Sequence, residues 1–418
     1  MSPTAHSHYH RRQDCRLCRG KDLKLVFSLT PTPPANAFVP AEACDKRQEC
    51  FPLDLFFCQG CAHLQLLDVV DPEVLFRDYV YASGTSPVFV RHFQDYASWI
   101  CSRFAVGSGD QIVEIGSNDG TLLKCFQSRD CKVLGIDPAE QIAREASESG
   151  IPTRTGFFSS LLATSLSAEG WKPKVVVANN VFAHIDDLED VALGVKTLLG
   201  HSAVFVFEVS YLLDVVQKTL FDTIYHEHLD YHSVISLDRF FARLGLELID
   251  VERTAPHGGS LRVVAQVQGG GRARSSSVDQ LILLERGAGL DQADTYRHFA
   301  VNMDNLRREL RAVLDRVRVE GKTIAGFGAP AKATTLMHHL GLGSKDLMYV
   351  VDDSPLKQGL YSPGLHIPIV SAQELQKRPV DYLLILAWNF SQSIIEKNKR
   401  FSDAGGRFIV PLPKVEVV

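Results

Sequence analysis

The stretch IVEIGSNDG, residues 112–120, followed by GIDPA at 135–139, decides the fold. An apolar run ends in Glu114 and turns at Gly116, where the missing side chain lets a ligand approach the backbone. Gly120 stands at the start of the next helix. The following apolar run ends in Asp137, whose carboxylate can accept hydrogen bonds from both hydroxyls of a ribose. This is the strand–turn–helix–strand unit of a nucleotide-type α/β fold, and it serves NAD and S-adenosylmethionine alike. The glycines do not follow G-x-G-x-x-G, because Asn118 replaces the second. That spacing favours S-adenosylmethionine, with Glu114, Gly116, Ser117, Asn118, Gly120 and Asp137 as cofactor-binding residues.

Working outward, further strand signals follow in KVVVANN, AVFVFEV, LELIDVER and LRVVAQV, separated by helical stretches, which predicts a mostly parallel sheet covered on both faces. Asn179 and Asn180 end one of these strands and would face the ligand crevice. After the glycine- and serine-rich stretch 268–277, Phe299, Met303, Leu306, Leu310, Val313, Leu314 and Val317 recur at three- and four-residue steps. They predict one long helix with a single buried stripe, ended at Gly321. KTIAGFG, LMYVVDD, DYLLILAW and RFIVPLP then read as a second, smaller α/β domain. Its GFGAPAKATT turn at 326–335 is of the dinucleotide type, with Lys332 able to hold a diphosphate at a helix start.

The N-terminal residues differ in texture. Pro31, Pro33 and Pro34 exclude a helix there, and the segment reads as a small loop-rich module. Cys15 and Cys18 in CRLC, with Cys58 and Cys61 in CQGC, form two pairs with the two-residue gap that brings two thiolates to one tetrahedral zinc. Four sulfur ligands leave no open position, so the zinc is expected to be structural. Cys44 and Cys50 lie between the pairs and lack such a partner. The expected organisation is a zinc-binding module over 1–72, a Rossmann-like cofactor domain over 73–275 and a second Rossmann-like domain over 276–418.

The 418 residues carry 44 Lys and Arg against 49 Asp and Glu, a net charge of -5, which gives no electrostatic case for nucleic acid. The N-terminus lacks the apolar core of a signal peptide and no apolar run is long enough to span a bilayer, so a cytoplasmic protein is expected. The densest ionisable cluster is TIYHEHLDYHS, residues 223–233. It offers acids, bases and orienting partners, but not the histidine spacing of an H-E-x-x-H metal site. HGGSLRV at 257–263 sets two glycines beside His257 and Ser260, as when backbone amides line a pocket.

Together, the two C-x-x-C pairs, YVYASGTS at 79–86, EIGSNDGTLL, NNVFAHI at 179–185, IYHEH at 224–228, HGGSLRV and GFGAPAKATT make the chain resemble the sugar C-methyltransferases of deoxysugar biosynthesis, along nearly its whole length. The resemblance implies a zinc-containing, S-adenosylmethionine-dependent enzyme that methylates C-3 of a dTDP-linked 4-keto-deoxysugar. It implies His228 as the base with Glu227 beside it, Tyr225 and His184 as partners of the keto group and its enolate, and Tyr79 as another wall of the pocket. Asp230 and His232, in the LDYHS that follows IYHEH here, would then mark a different sugar. The chemistry fits these residue types, because a carbon beside a ketone becomes nucleophilic only when a base removes its proton and donors hold the oxygen. An O- or N-methyltransferase would use the same cofactor unit. An NAD-dependent sugar-nucleotide oxidoreductase would instead rely on GFGAPAKATT, and a zinc-finger scaffold is disfavoured by the acidic charge.

Overall fold

A computed structural model of the chain describes residues 8–76, 87–255 and 258–418. Its centre is a seven-stranded sheet: β1 (Gln111–Ile115), β2 (Lys132–Asp137), β3 (Thr153–Thr155), β4 (Val175–Asn179), β5 (Val204–Ser210), β6 (Leu246–Thr254) and β7 (Ser260–Val267); all but the short edge strand β3 fall on runs expected above. The spatial order is β6-β7-β5-β4-β1-β2-β3. β1 to β5 are parallel, while β7 runs antiparallel to both β5 and β6. Every residue of β4 is buried, as a strand covered on both faces requires. From β1 the chain winds one way to β2 and β3, and later the other way to β4 and β5. The order therefore reverses between β1 and β4, and a crevice opens at their carboxyl ends.

A second sheet has six strands in the spatial order Ile369–Val370, Val350–Val351, Ile324–Phe327, Tyr382–Ile385, Arg407–Val410, Glu416–Val417. Only the last pairing is antiparallel. This is again a Rossmann-type winding, so the expectation of two α/β sheets holds.

The N-terminal module is not loop-rich. Leu23–Thr32, Phe51–Cys58 and Leu64–Leu66 form an antiparallel sheet whose fourth strand, Asp230–Tyr231, comes from far along the chain. Phe51–Cys58 alternates buried and half-buried side chains, a period of two that the prolines and cysteines around it obscured. The long helix spans Ala293–Val319. Its expected stripe is buried, with Val313 only partly so, and Gly321 follows in the left-handed region at φ +68°. It packs back onto the N-terminal sheet, where Phe299 meets Phe27 and Tyr296 meets Phe57, each pair 5.4 Å apart. Each large apolar side chain so buried contributes roughly 1.5–3 kcal/mol. Among the described residues no helix is long and apolar enough to cross a membrane.

Candidate active site

The carboxyl ends of β1, β2 and β4 carry the residues expected to hold the cofactor. Gly116 has φ +69°, and a Cβ there would sit 2.3 Å from a methyl of Val181, so only glycine fits. Asn118 follows at φ +49° and donates its backbone N–H to Asp137 Oδ2 at 2.8 Å, while Ala139 N–H reaches Oδ1 at 2.9 Å. Asp137 thereby ties the turn after β1 to the end of β2. Burial raises its pKa, against the two N–H groups that favour the carboxylate. Gly120 (φ +73°) precedes the helix Thr121–Gln127. Gly135, passed over in the sequence, has no room for a side chain because Ser117 Oγ occupies that space.

Buried polar atoms collect here without hydrogen-bond partners among the described residues: Glu114 Oε2, Ser117 Oγ, and both polar atoms of the Asn179 side chain. Burial, then Asp119 and Asp137, holds the Glu114 carboxyl well above the ordinary range. The Asn179 amide lies beside Glu114 and the Tyr96 hydroxyl without a well-aligned bond to either. Asn180 turns at φ +56° and donates its N–H to the Glu208 carbonyl at 2.8 Å. Unmet buried polar groups are costly unless a ligand meets them, which is the fit a nucleoside cofactor requires.

A second group stands beside this crevice. His184 and His228 approach to 4.9 Å between ring centres, and Tyr225 lies 4.1 Å from His228. His228 Nδ1 is 2.7 Å from the Thr223 carbonyl, which can only accept, so Nδ1 carries the proton and Nε2 the lone pair. That lone pair accepts the Tyr225 hydroxyl at 2.8 Å. Burial lowers the His184 pKa to about 4, which keeps this ring neutral. Glu227 is buried and accepts the Asn36 amide at 2.9 Å, a contact from the N-terminal module that no local pattern signals. Tyr79 and His257 lie outside the described residues.

The rest of the ionisable cluster does other work. His226 Nε2 bonds the Phe51 carbonyl at 3.2 Å and His232 Nε2 the Phe182 carbonyl at 3.3 Å. Asp230 accepts from His63 Nε2 at 2.6 Å in a fully buried pair. Asp230 and His232 therefore belong to the joint between the N-terminal sheet and the central domain, which corrects their reading as marks of a different sugar.

The second α/β sheet reaches the same loop. Thr335 Oγ1 donates to the Ile224 carbonyl and Thr334 Oγ1 to the Ala35 carbonyl, both at 2.8 Å, and Trp388 Nε1 donates to Asp222. Lys332 is buried, with its ammonium 5.4 Å from the Trp388 ring and in the field of Asp222, so it serves this joint. Asp352 repeats the device of Asp137: Ala329 N–H donates to Oδ2 at 2.6 Å and Ser354 N–H to Oδ1 at 2.8 Å. Gly258 and Gly259 of HGGSLRV pack against Trp388 and Asp214, and Lys218 Nζ bonds the Gly258 carbonyl at 2.6 Å.

The sulfurs of Cys15, Cys18, Cys58 and Cys61 all lie within 4.8 Å of one another, with the pairs Cys15–Cys61 and Cys18–Cys58 at 3.5 Å. Tetrahedral zinc with Zn–S near 2.3 Å sets an S–S edge of about 3.8 Å, so the sulfurs fit that ion. Hydrogen bonds within the cluster lower the Cys58 thiol and raise that of Cys61, so the sulfurs act on one another as a single group. Cys44 and Cys50 stand outside the cluster.

Three family models match the chain in succession: "Putative zinc binding domain" over residues 15–76, "Methyltransferase domain" over 89–251 and "C-methyltransferase C-terminal domain" over 255–413. Among solved structures, the PH0226 protein of Pyrococcus horikoshii OT3 is similar with a TM-score of 0.36 and 14% identity, covering 45% of this chain and 95% of that one. An uncharacterized methyltransferase of Bacillus pumilus is 28% identical over 26% of this chain and 48% of its own. The C-methyltransferase NovU of Streptomyces niveus is 35% identical over 97% of this chain and 96% of its own length. A match of that depth along both chains settles the family: the chain belongs to the zinc-binding, S-adenosylmethionine-dependent C-methyltransferases.

Proposed function

We propose that the enzyme methylates the carbon alpha to the ketone of a nucleotide-linked 4-keto-deoxysugar, at C-3 of a dTDP-sugar. The observation that carries this reading is the His228–Tyr225 pair beside His184, a base and two donors gathered next to the cofactor crevice. A hydroxyl or amine acceptor already has a lone pair and needs less help.

His228 is the base. With its proton fixed on Nδ1 by the Thr223 carbonyl, Nε2 takes the proton from the alpha carbon. The C–H electron pair becomes the carbon–carbon double bond of an enolate, and the charge gathers on the former ketone oxygen. Tyr225 releases Nε2 and donates to that oxygen, and neutral His184 offers a second donor. Glu227, held by Asn36, fixes the loop that carries His228.

The turn of Glu114, Gly116, Ser117, Asn118 and Gly120, with Asp137, Asn179 and Asn180, holds S-adenosylmethionine. The cofactor supplies, when bound, a sulfonium methyl already activated for transfer. What remains for the protein is to align the enolate carbon with it. Residues 1–72 form the zinc-binding module, 73–275 the methyltransferase domain and 276–418 a domain that contacts the nucleotide sugar.

The test is incubation with S-adenosylmethionine and a panel of nucleotide-linked 4-ketosugars, followed by mass spectrometry and NMR of the product. A new carbon–methyl bond beside the ketone supports the reading. A methyl found on oxygen or nitrogen rejects it in favour of an O- or N-methyltransferase.

A further inference from the structure

Arg16 stands between two zinc ligands, Cys15 and Cys18, yet its side chain is fully buried against the central domain. Its Nε donates to Asp186 Oδ1 at 3.0 Å and lies 3.9 Å from Asp230 Oδ2. Its Nη1 bonds the Leu66 carbonyl and Gln65 Oε1. Asp186 lies just beyond His184 in the sequence and Asp230 just beyond His228. One guanidinium from the metal knuckle therefore touches both loops that carry the histidine pair.

The surroundings repeat this polarity. His63, just past the zinc ligand Cys61, takes the other oxygen of Asp230. Arg12 donates to the Asp186 side chain and carbonyl, both at 2.9 Å, and Arg19 bonds Asp187 and Glu189. In these pairs the positive groups come from the zinc module and the carboxylates from the central domain, while Arg239 and Arg243 donate the other way, to the Gly60 and Leu17 carbonyls. The two loops are tied to each other where the Leu229 and Asp230 N–H groups donate to the Ala183 carbonyl at 2.8 and 3.2 Å. A buried cation is tolerated only where its acceptors are fixed, so the contact constrains both sides.

We propose that Arg16 is a positioning residue, through which the zinc knuckle sets the separation of His184 and His228. The metal then has a role in catalysis without touching substrate. Part of this inference, the effect on turnover, rests on the function proposed above.

The test uses full-length zinc-loaded protein, labelled with ¹³C at histidine Cε1, as wild type, Arg16→Gln, Asp186→Asn and the double variant. Zinc content, S-adenosylhomocysteine affinity, histidine NMR and turnover are measured on each. The proposal expects one zinc per chain and cofactor affinity within about twofold of wild type. It also expects the His184 and His228 signals to shift or broaden while exposed His298 stays in place, and kcat to fall at least tenfold with KM for S-adenosylmethionine unchanged. The double variant should lose less than the sum of the two single losses, because Arg16 and Asp186 share one contact while each also holds others, Leu66 for Arg16 and Arg12 for Asp186. If Arg16→Gln does not fold, Asp186→Asn alone decides. Histidine signals that coincide with wild type in Asp186→Asn, or zinc lost from that variant, would overturn the proposal. Because the signals are read without substrate, they judge Arg16 even if the acceptor proves not to be a ketosugar.

Discussion

Asp137 and Asp352 hold equivalent turns in the two α/β sheets, each accepting one N–H from the turn after the first strand and one from the residue two positions beyond itself. In the central sheet that turn carries Gly116 and Asn118, so Asp137 shapes the crevice at the carboxyl ends of β1 and β4. In the second sheet the same device holds the turn at Ala329, and Lys332 on the following helix is buried beside Trp388 and in the field of Asp222.

Asp137→Ala is expected to weaken S-adenosylmethionine by about 1.5–3 kcal/mol, the range for hydrogen bonds to a charged group, while the chain stays folded. Calorimetric titration measures it. Affinity equal to wild type would mean that the crevice at β1 and β2 does not hold the cofactor.

Gly116→Ala places a Cβ against Val181 at a φ of +69°, which costs roughly 1–3 kcal/mol in backbone strain before the clash is counted. Both the denaturation midpoint and cofactor affinity should fall. Gly107→Ala, where a Cβ meets nothing, serves as the control and should leave binding intact.

Cys58→Ser with Cys61→Ser should release the zinc and destabilise the N-terminal sheet by on the order of 4–5 kcal/mol, as loss of a structural metal does. Elemental analysis and thermal unfolding test this together. Full zinc occupancy in the double variant would contradict the four-sulfur site.

His184, His226 and His232 are each lowered to about 4 by burial. Their folded pKa values lie below the ordinary one, so their contribution to stability is complete above about pH 6.5 and is lost as pH falls toward 4, by about 1.4 kcal/mol per unit for each. Glu285, raised to about 7 by burial, acts with the opposite sign, so the resonances rather than the unfolding midpoint are the proper readout. NMR should show the three rings neutral at pH 5.5; titration of any of them near 6.5 would contradict its burial.

The strands, the glycine turn after β1 and the four-cysteine cluster were legible in the sequence because each is local: an apolar run, a glycine next to an acid, a two-residue gap between cysteines. The N-terminal sheet was not, since Asp230–Tyr231 completes it from a distant segment and the register with Gln65 and Leu64 leaves no trace in either stretch. For the same reason IYHEHLDYHS looked like one cluster. His228 and Tyr225 meet His184, whereas His226, Asp230 and His232 turn to partners in the N-terminal module or under Phe182. Residue type announced chemistry there, but only packing separated the ring that faces His184 from those that brace the joint.

Proton abstraction by His228 is tested most directly by hydrogen exchange with no methyl to transfer. Wild-type enzyme with S-adenosylhomocysteine and a nucleotide-linked 4-ketosugar in deuterium oxide should wash deuterium into the carbon alpha to the ketone. His228→Ala should abolish that exchange, keep both ligands bound and slow methyl transfer by about 10²- to 10⁴-fold. Exchange that persists in His228→Ala and disappears in His184→Ala or Tyr225→Phe would contradict the account and move the base to that residue.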